Sequence, residues 1–253
     1  MKMIDLFCGC GGLSLGLEQA GFELAFASDI DPVCASTFLF NRDLSKERMF
    51  VGDIADLNKK FDTYSRFFKN VDLVCGGPPC QGFSMANRQR LIDDPRNYLY
   101  KEYLTFLGRV NPKFFIMENV KGMLNKIDEI IDDINSVLGE AFDVSYTVLN
   151  ARIFGVPQNR ERLIIIGNRI GVSSNQIIDD LLTASERLPR FNLYDAISDL
   201  PELKPNRIKN NTKEENDAVG YAKKEHTYPK TAFYSYINGD RDISYLYNHK
   251  NRY

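Results

Sequence analysis

Six short apolar runs separated by amphipathic stretches dominate the first 170 residues, and they restrict the fold more than any other property of the chain. Lys2 to Phe7, Phe22 to Ser28, Val71 to Cys75, Lys113 to Met117, Phe142 to Leu149 and Arg162 to Gly167 are each bounded by Gly, Pro, Asp or Asn. Strands spaced widely enough to admit helices predict a parallel sheet covered by helices. The clearest helix runs from Leu124 to Leu138, where Leu124, Ile127, Ile130, Ile131, Ile134, Val137 and Leu138 share one stripe and Gly139 stops it. Leu13 to Ala20 and Tyr98 to Leu107 read as further helices, with Gly21 and Gly108 near their ends. After about residue 170 the alternation fades, and from Pro201 the chain is polar and reads as extended or loop-rich.

With 253 residues, 43% of them hydrophobic and 26% charged, the chain has the makeup of a folded protein. That excludes disorder, collagen-like repeats and a disulfide-stapled scaffold. No run reaches the roughly 20 apolar residues of a membrane span, and the opening Met-Lys-Met-Ile-Asp lacks the apolar core of an export signal. A soluble, cytoplasmic protein with no membrane partner is expected. Cys8, Cys10, Cys34, Cys75 and Cys80 are an odd number in such a chain, which argues for reduced thiols. Zinc is not expected, because Cys8 and Cys10 are too close together and the only histidines, His226 and His249, are remote. That remoteness also counts against a Cys-His hydrolase. The net charge is −2, and residues 201–253 carry ten Lys plus Arg against seven Asp plus Glu, so any nucleic-acid contact must be local.

Asp5-Leu6-Phe7-Cys8-Gly9-Cys10-Gly11-Gly12 joins an expected strand to an expected helix, the place where a tight glycine turn lets a nucleotide meet bare backbone. A purely structural turn is the alternative. The dinucleotide fingerprint G-x-G-x-x-G fails at Ser14, which weakens a dehydrogenase reading. Asp29, just past the second strand, is positioned either to bond a ribose hydroxyl or to cap a helix before Asp31-Pro32. Asp53, in Gly52-Asp53-Ile54, offers a further carboxylate for an adenine amine.

Gly76-Gly77-Pro78-Pro79-Cys80-Gln81-Gly82-Phe83-Ser84 is the most informative segment. Two prolines stiffen the backbone before Cys80 and glycines on both sides admit another molecule, so a reactive thiol is expected there. The other cysteines lie in apolar stretches and are expected to be inert core residues. Phe115-Ile116-Met117-Glu118-Asn119-Val120 ends a strand in a carboxylate, and Gln158-Asn159-Arg160-Glu161-Arg162 leads directly into the last strong strand.

Taken in order, D-L-F-C-G-C-G-G, G-D-I, G-G-P-P-C-Q-G-F-S, M-E-N-V and G-V-P-Q-N-R-E-R resemble the DNA (cytosine-5) methyltransferases over roughly residues 1 to 170. The resemblance implies an α/β fold, a Rossmann-like methyltransferase sheet with helices on both faces, followed by an irregular C-terminal extension. Its implied limits are a catalytic domain over 1–190 and a connector over 191–253. It assigns Cys80 as nucleophile, Glu118 to the ring nitrogen and amine of the target cytosine, and Arg162 to its carbonyl oxygen. Arg160 and Gln158 are expected to hold the surroundings of Cys80.

For the cofactor, S-adenosylmethionine, the matching positions are Phe7, Gly9, Gly11, Gly12, Leu13, Asp29 and Asp53, with Ile30, Ile54, Pro78 and Leu99 as walls. Asp29 departs from the Glu of many members, and Ile30 from a common aromatic. Residues 80 to 96 match the loop that closes over a flipped base in duplex DNA, with Gln81, Ser84, Arg88, Arg90 and Arg96 expected to meet nucleic acid. No metal is implied.

Residues 191 to 200 resemble the connector toward a target-recognition region, but that region and the family's last motifs do not follow. The expectation is therefore the catalytic part of a split or truncated restriction-modification methyltransferase, its recognition region and closing helices supplied by a second polypeptide. An RNA cytosine methyltransferase and a silent methyltransferase-like binding module are the alternatives.

Overall fold

Strand and helix alternate from the first residues of the computed structural model, which describes residues 1–79, 98–198, 222–225, 231–238 and 245–248. In order come β1 (Lys2–Leu6), α1 (Gly12–Gln19), β2 (Glu23–Asp29), α2 (Pro32–Phe40), β3 (Met49–Val51), α3 (Ile54–Lys59), α4 (Phe61–Phe68) and β4 (Leu73–Gly76). They are followed by α5 (Tyr98–Val110), β5 (Phe114–Val120), α6 (Ile127–Leu138), β6 (Asp143–Asn150), β7 (Glu161–Asn168) and α7 (Ser174–Ser185). The chain divides into two compact units, one of Met1–Asn150 with Glu161–Arg187, the other of Ala151–Arg160 with Leu188–Tyr253.

The first unit holds a seven-stranded sheet in the order β3-β2-β1-β4-β5-β7-β6. Strands β1 to β5 pair in parallel, whereas β7 runs antiparallel to both its neighbours. The all-parallel expectation is corrected there. Only residues 151–160 separate β6 from β7, fewer than the dozen or so that a parallel crossover requires, so the chain must return antiparallel.

Helices cover both faces, and the period of two along each strand decides which side chain meets which layer, except that a bulge at Ala25 of β2 turns Leu24 and Phe26 to opposite faces. Ile4, Leu6 and Phe26 face α4, α5 and α6, where Phe68, Leu104, Leu107, Ile130 and Ile134 bury against them. Met3, Leu24, Ala27 and Leu73 face the other way, onto Ala35 and Phe38 of α2. Phe26 is the aromatic centre of the first layer, with Tyr64, Phe67 and Phe68 at ring distances of 5.1 to 5.9 Å.

Helices α2, α3 and α7 start at side-chain caps, whereas α4 has none and is amphipathic. Asp31, Asp53 and Ser173 each accept a backbone N–H at the start of α2, α3 and α7. The stretch expected as one helix from Leu124 opens instead as a tighter turn over Lys121–Lys126, and the α-helix begins at Ile127. In the second unit, α8 (Leu193–Ile197) carries a reciprocal cap between Asn192 and Asp195. Phe191 packs on Phe233 and Tyr236 of α9 (Ala232–Asn238), and β8 (Ala222–Glu225) pairs antiparallel with β9 (Tyr245–Asn248).

The C-terminal ends of the central strands are drawn tightly together. A Cβ on Gly76 would lie 2.6 Å from the Leu6 carbonyl oxygen, so only glycine lets β4 approach the end of β1. The fully buried Tyr103 of α5 donates its hydroxyl toward the carbonyls of Val74 at 3.3 Å and Ile116 at 3.1 Å, tying the helix to β4 and β5. Tyr103→Phe is expected to keep the fold and lose about 1 to 2 kcal/mol, read as a lower midpoint in urea denaturation followed by circular dichroism.

Candidate active site

Parallel strands deliver their C-terminal ends, and the loops that follow, to one edge of the sheet, where open α/β folds gather their ligands. Phe7 and the glycine turn follow β1, Asp29 closes β2, Asp53 follows β3, and Gly77 and Pro78 follow β4. Glu118 lies near the end of β5. The reversed β7 brings Arg162 to the same edge, opposite Val120 in the ladder and therefore on the face that carries Glu118.

The turn after β1 is built from unusual backbone. Phe7 has φ 57°, Gly9 54° and Gly11 87°. For a bulky aromatic such as Phe7 this region is strained, and strain of this kind collects at functional sites. Three contacts hold the turn in place. The Gly9 N–H donates to Asp29 Oδ2 at 2.7 Å, Cys8 N–H to the Ser28 carbonyl at 3.0 Å, and Gly11 N–H to the Cys8 carbonyl at 2.8 Å. Arg42 adds a fourth from outside. Its guanidinium donates to the Gly11 carbonyl at 2.6 Å, pairs with Glu18 at 3.1 Å and lies over the Phe38 ring at 4.0 Å.

Arg42 was not legible as a site residue, since it belongs to no motif and stands 31 residues from its partner in the turn. It also explains Gly11, because a Cβ there would come within 2.6 Å of both Arg42 and Phe38. Gly12 opens α1 with no atom near its missing Cβ, and Leu13 is half-buried behind it.

Asp29 does not cap α2. That cap is Asp31, whose Oδ1 accepts the Val33 N–H at 2.7 Å, while Asp29 Oδ1 accepts the Asp31 N–H at 2.8 Å. One carboxylate thus ties the glycine turn to the start of α2. Asp53 caps α3 by accepting the Ala55 N–H at 2.8 Å. Ile30 is 66% exposed, Phe7 and Leu99 are half-buried and Pro78 is buried. Ile54 is buried in the core beside Phe50 and Leu57, with little side-chain surface to offer a ligand.

The second cluster centres on Glu118 and Arg162. Arg162 Nε lies 2.8 Å from Glu118 Oε1, and the two side chains are 26% and 32% exposed. Glu118 Oε2 would be 3.0 Å from a Cβ on Gly77, so that glycine leaves the carboxylate its room. Asn119, buried on the opposite face of β5, donates to the Pro78 carbonyl at 2.8 Å and fastens the segment leading to Cys80. Its motif neighbour Glu118 attracts notice first; only the fold pairs Asn119 with Pro78. Lys121 and Glu161 form a more exposed ion pair at 3.0 Å beside the same strand ends.

Cys80, Gln81, Ser84, Arg88, Arg90 and Arg96 lie outside the described residues. Gln158 and Arg160 belong to the second unit, where both are exposed and the Arg160 N–H donates to the Gln158 carbonyl at 3.0 Å. Cys10 departs from the expectation of an inert core cysteine. It is exposed in the glycine turn, because residues between two left-handed glycines project from the turn rather than into the sheet. Among the described residues no group of three or more His, Cys, Asp or Glu is arranged to hold a metal, and no helix is long and apolar enough to cross a membrane.

Residues 1–252 match the family model of the C-5 cytosine-specific DNA methylases. The chain belongs to that family. The match continues well past the motif region that ends near residue 170. It is 38% identical over 226 residues to the type II methyltransferase M.AquIA of Picosynechococcus, covering 81% of this chain and 90% of that one. It is 40% identical over 205 residues to M.XorII of Xanthomonas oryzae, covering 79% of this chain but 46% of that one. The methylase therefore spans about half the length of several relatives and most of one.

Among solved structures it is similar to a prophage-encoded E. coli protein assigned as a DNA modification methyltransferase. The TM-score is 0.74 at 26% identity, with 94% of this chain and 64% of that one covered. The S. pombe Dnmt2 methyltransferase, 22% identical with a TM-score of 0.58, shares the fold.

Beneath the glycine turn of this methylase, Asp5 is 1% exposed and faces the Ser14 hydroxyl and the Cys75 thiol, with one carboxylate oxygen unpartnered. Burial raises its pKa to about 6, against the opposing pull of Ser14, Cys75 and Arg42. The folded protein therefore keeps the Asp5 proton over a range in which the unfolded chain, titrating near 4, has lost it. Stability is expected to fall by up to about 3 kcal/mol as pH rises from about 4 to about 6. In Asp5→Asn that part of the pH dependence should vanish from a series of denaturation curves.

Proposed function

We propose that this chain methylates carbon 5 of cytosine in duplex DNA through a covalent Cys80 adduct on a flipped-out base, as the catalytic part of a restriction-modification enzyme. The observation that carries the reading is the Glu118–Arg162 pair beside Gly77, three residues before Cys80 in the chain. A carboxylate next to a guanidinium matches the edge of cytosine that presents an amine, a ring nitrogen and a carbonyl oxygen.

Carbon 5 of cytosine is a poor nucleophile. When the Cys80 thiolate adds to carbon 6, the ring becomes an enamine nucleophilic at carbon 5; loss of the carbon 5 proton after alkylation then expels the thiolate. Glu118 bonds the ring nitrogen, where charge develops on addition, together with the exocyclic amine, and Arg162 bonds the carbonyl oxygen. Because each already holds the other in position, little reorganisation is needed as charge develops. Asn119 is the positioning residue that restrains Pro78 and so the approach to Cys80. Gln158 and Arg160 support the loop that precedes Arg162. Gln81, Ser84, Arg88, Arg90 and Arg96 meet the DNA, their arginines suited to phosphates.

The residues after β1, β2 and β3 fit S-adenosylmethionine. The turn offers backbone free of side chains at Gly9, Gly11 and Gly12, and Asp29 keeps lone pairs for a ribose hydroxyl beyond those it uses in the turn. Phe7, Leu13, Ile30, Asp53, Pro78 and Leu99 complete the binding set, with Ile54 contributing through its main chain. The cofactor, when bound, supplies an electrophilic methyl on a sulfonium. A second polypeptide supplies the recognition region and closing helices.

Cys80→Ser is expected to reduce methyl transfer to background while leaving S-adenosylmethionine binding nearly intact, compared by radiolabel incorporation and calorimetry; unchanged turnover removes the nucleophile assignment. Transfer of labelled methyl to mixed duplex DNA is expected only when the product of the adjacent reading frame is added. Strong sequence-specific transfer by this chain alone would refute the two-polypeptide reading.

A further inference from the structure

The glycine turn opens α1 in an unusual way. Gly11 is the N-cap residue, and its backbone lies in the left-handed region at φ 87° and ψ 32°, where N-cap residues are ordinarily extended. It has no side chain with which to cap the helix, and no acid follows in the first turn. Glycine reaches left-handed and right-handed conformations with similar ease, so its own preference does not select this one. The selection has to come from a contact.

Arg42, two residues beyond the end of α2, makes that contact. Gly11, Ser14 and Glu18 are spaced three and four apart and so share one face of α1. The Arg42 side chain lies along this face. Its Nε donates to Glu18 Oε2 at 3.1 Å, while Nη2 donates to the Gly11 carbonyl at 2.6 Å and to the Ser14 hydroxyl at 3.4 Å. The Gly11 carbonyl also accepts the Leu15 N–H at 3.0 Å, so one oxygen receives both the first bond of the helix and the bond from the guanidinium. The Phe38 ring lies 4.0 Å from the guanidinium, and the Arg42 side chain is only 9% exposed. Placing a guanidinium this deeply costs desolvation, which Glu18 and the carbonyl offset.

We propose that Arg42 is a positioning residue for the cofactor, holding Gly11 and the start of α1 in the shape that presents the bare backbone of Gly9, Gly11 and Gly12 to S-adenosylmethionine.

This role presupposes the proposed S-adenosylmethionine site and adds to it a residue that lies in none of the motifs. Arg42 acts through Gly11, since its Nε and Nη2 are committed to α1. Without that hold the turn samples other conformations, and a ligand has to order it on binding, which lowers affinity. Arginine suits the place better than lysine. Its planar fork meets Glu18 and Gly11 through separate nitrogens while its flat face meets Phe38, three contacts that a single ammonium does not satisfy together. The buried Asp5 feels the same cation from beneath the turn, where Arg42 opposes the upward shift of its pKa.

The test compares the full chain with Arg42→Ala, Arg42→Lys and Glu18→Gln, using S-adenosylhomocysteine as the calorimetric probe and hydrogen exchange read by mass spectrometry. Arg42→Ala is expected to weaken the probe about tenfold or more, and to speed exchange in peptides spanning residues 8–15 while those of β5 and β7 keep their rates. Ethylguanidinium, which replaces the atoms removed, should restore both; ethylammonium, which supplies the charge without the fork, should not. Arg42→Lys keeps the charge and most of the stem, tests the same point if the alanine variant does not fold, and is expected to bind weakly as well. Glu18→Gln preserves the Gly11 contact and should bind within about threefold of the unmutated chain. Unchanged affinity and exchange in the Arg42 variants, equal rescue by ethylammonium, or a loss in Glu18→Gln as large as in Arg42→Ala would each overturn the proposal. An unmutated chain that binds no S-adenosylhomocysteine would fault the cofactor reading, and exchange in the turn would still decide whether Arg42 sets its shape.

Discussion

The ion pair between Glu118 and Arg162 depends on the direction of one strand. Arg162 is the second residue of β7, and it reaches the edge where β5 ends because β7 enters the sheet antiparallel. In a parallel arrangement Arg162 would begin its strand at the opposite edge, away from Glu118. A pair this exposed, at 26% and 32%, adds little to stability. Its value is geometric, since it holds two groups of opposite charge in fixed orientation beside the segment that carries Cys80.

The other half of the edge is organised by carboxylates that serve the backbone first. Asp29 and Asp53 occupy positions associated with nucleotide recognition, and both are engaged in structural hydrogen bonds, Asp29 to Gly9 and Asp31 and Asp53 to Ala55. These bonds orient each carboxylate and leave lone pairs for a ligand, so capping and recognition are compatible uses of one side chain. Asp5 works from below. It is buried under the turn beside Ser14 and Cys75, at a cost in stability once ionised, while Arg42 grips the turn from the side. Strained backbone at Phe7 persists because these contacts surround it.

The same restraint joins the glycine turn to the start of α2. A parallel β-α-β-α arrangement returns the start of α2 to the edge from which α1 departs, and Asp29 closes the remaining gap.

Much of this was legible in the chain itself. The six apolar runs correspond to β1, β2, β4, β5, β6 and β7 within a few residues, because alternation and flanking Gly, Pro, Asp and Asn are local signals. The ordered motifs identified the family and the residues that deserve testing, since nucleophile, carboxylate and glycine turn each carry their chemistry in a short segment. Short, capped helices such as α2 and α3 were hidden because their stability comes from packing on the sheet more than from their own periodicity.

What the sequence alone determined is the α/β alternation, the family and the position of the glycine turn. Tertiary structure decided which partners each side chain has: Arg42 on Gly11, Asn119 on Pro78, Asp29 on Gly9, and Arg162 against Glu118. The reason is physical. Local pattern records which face of an element is buried, whereas contacts between residues tens of positions apart exist only after strand order and direction have been set.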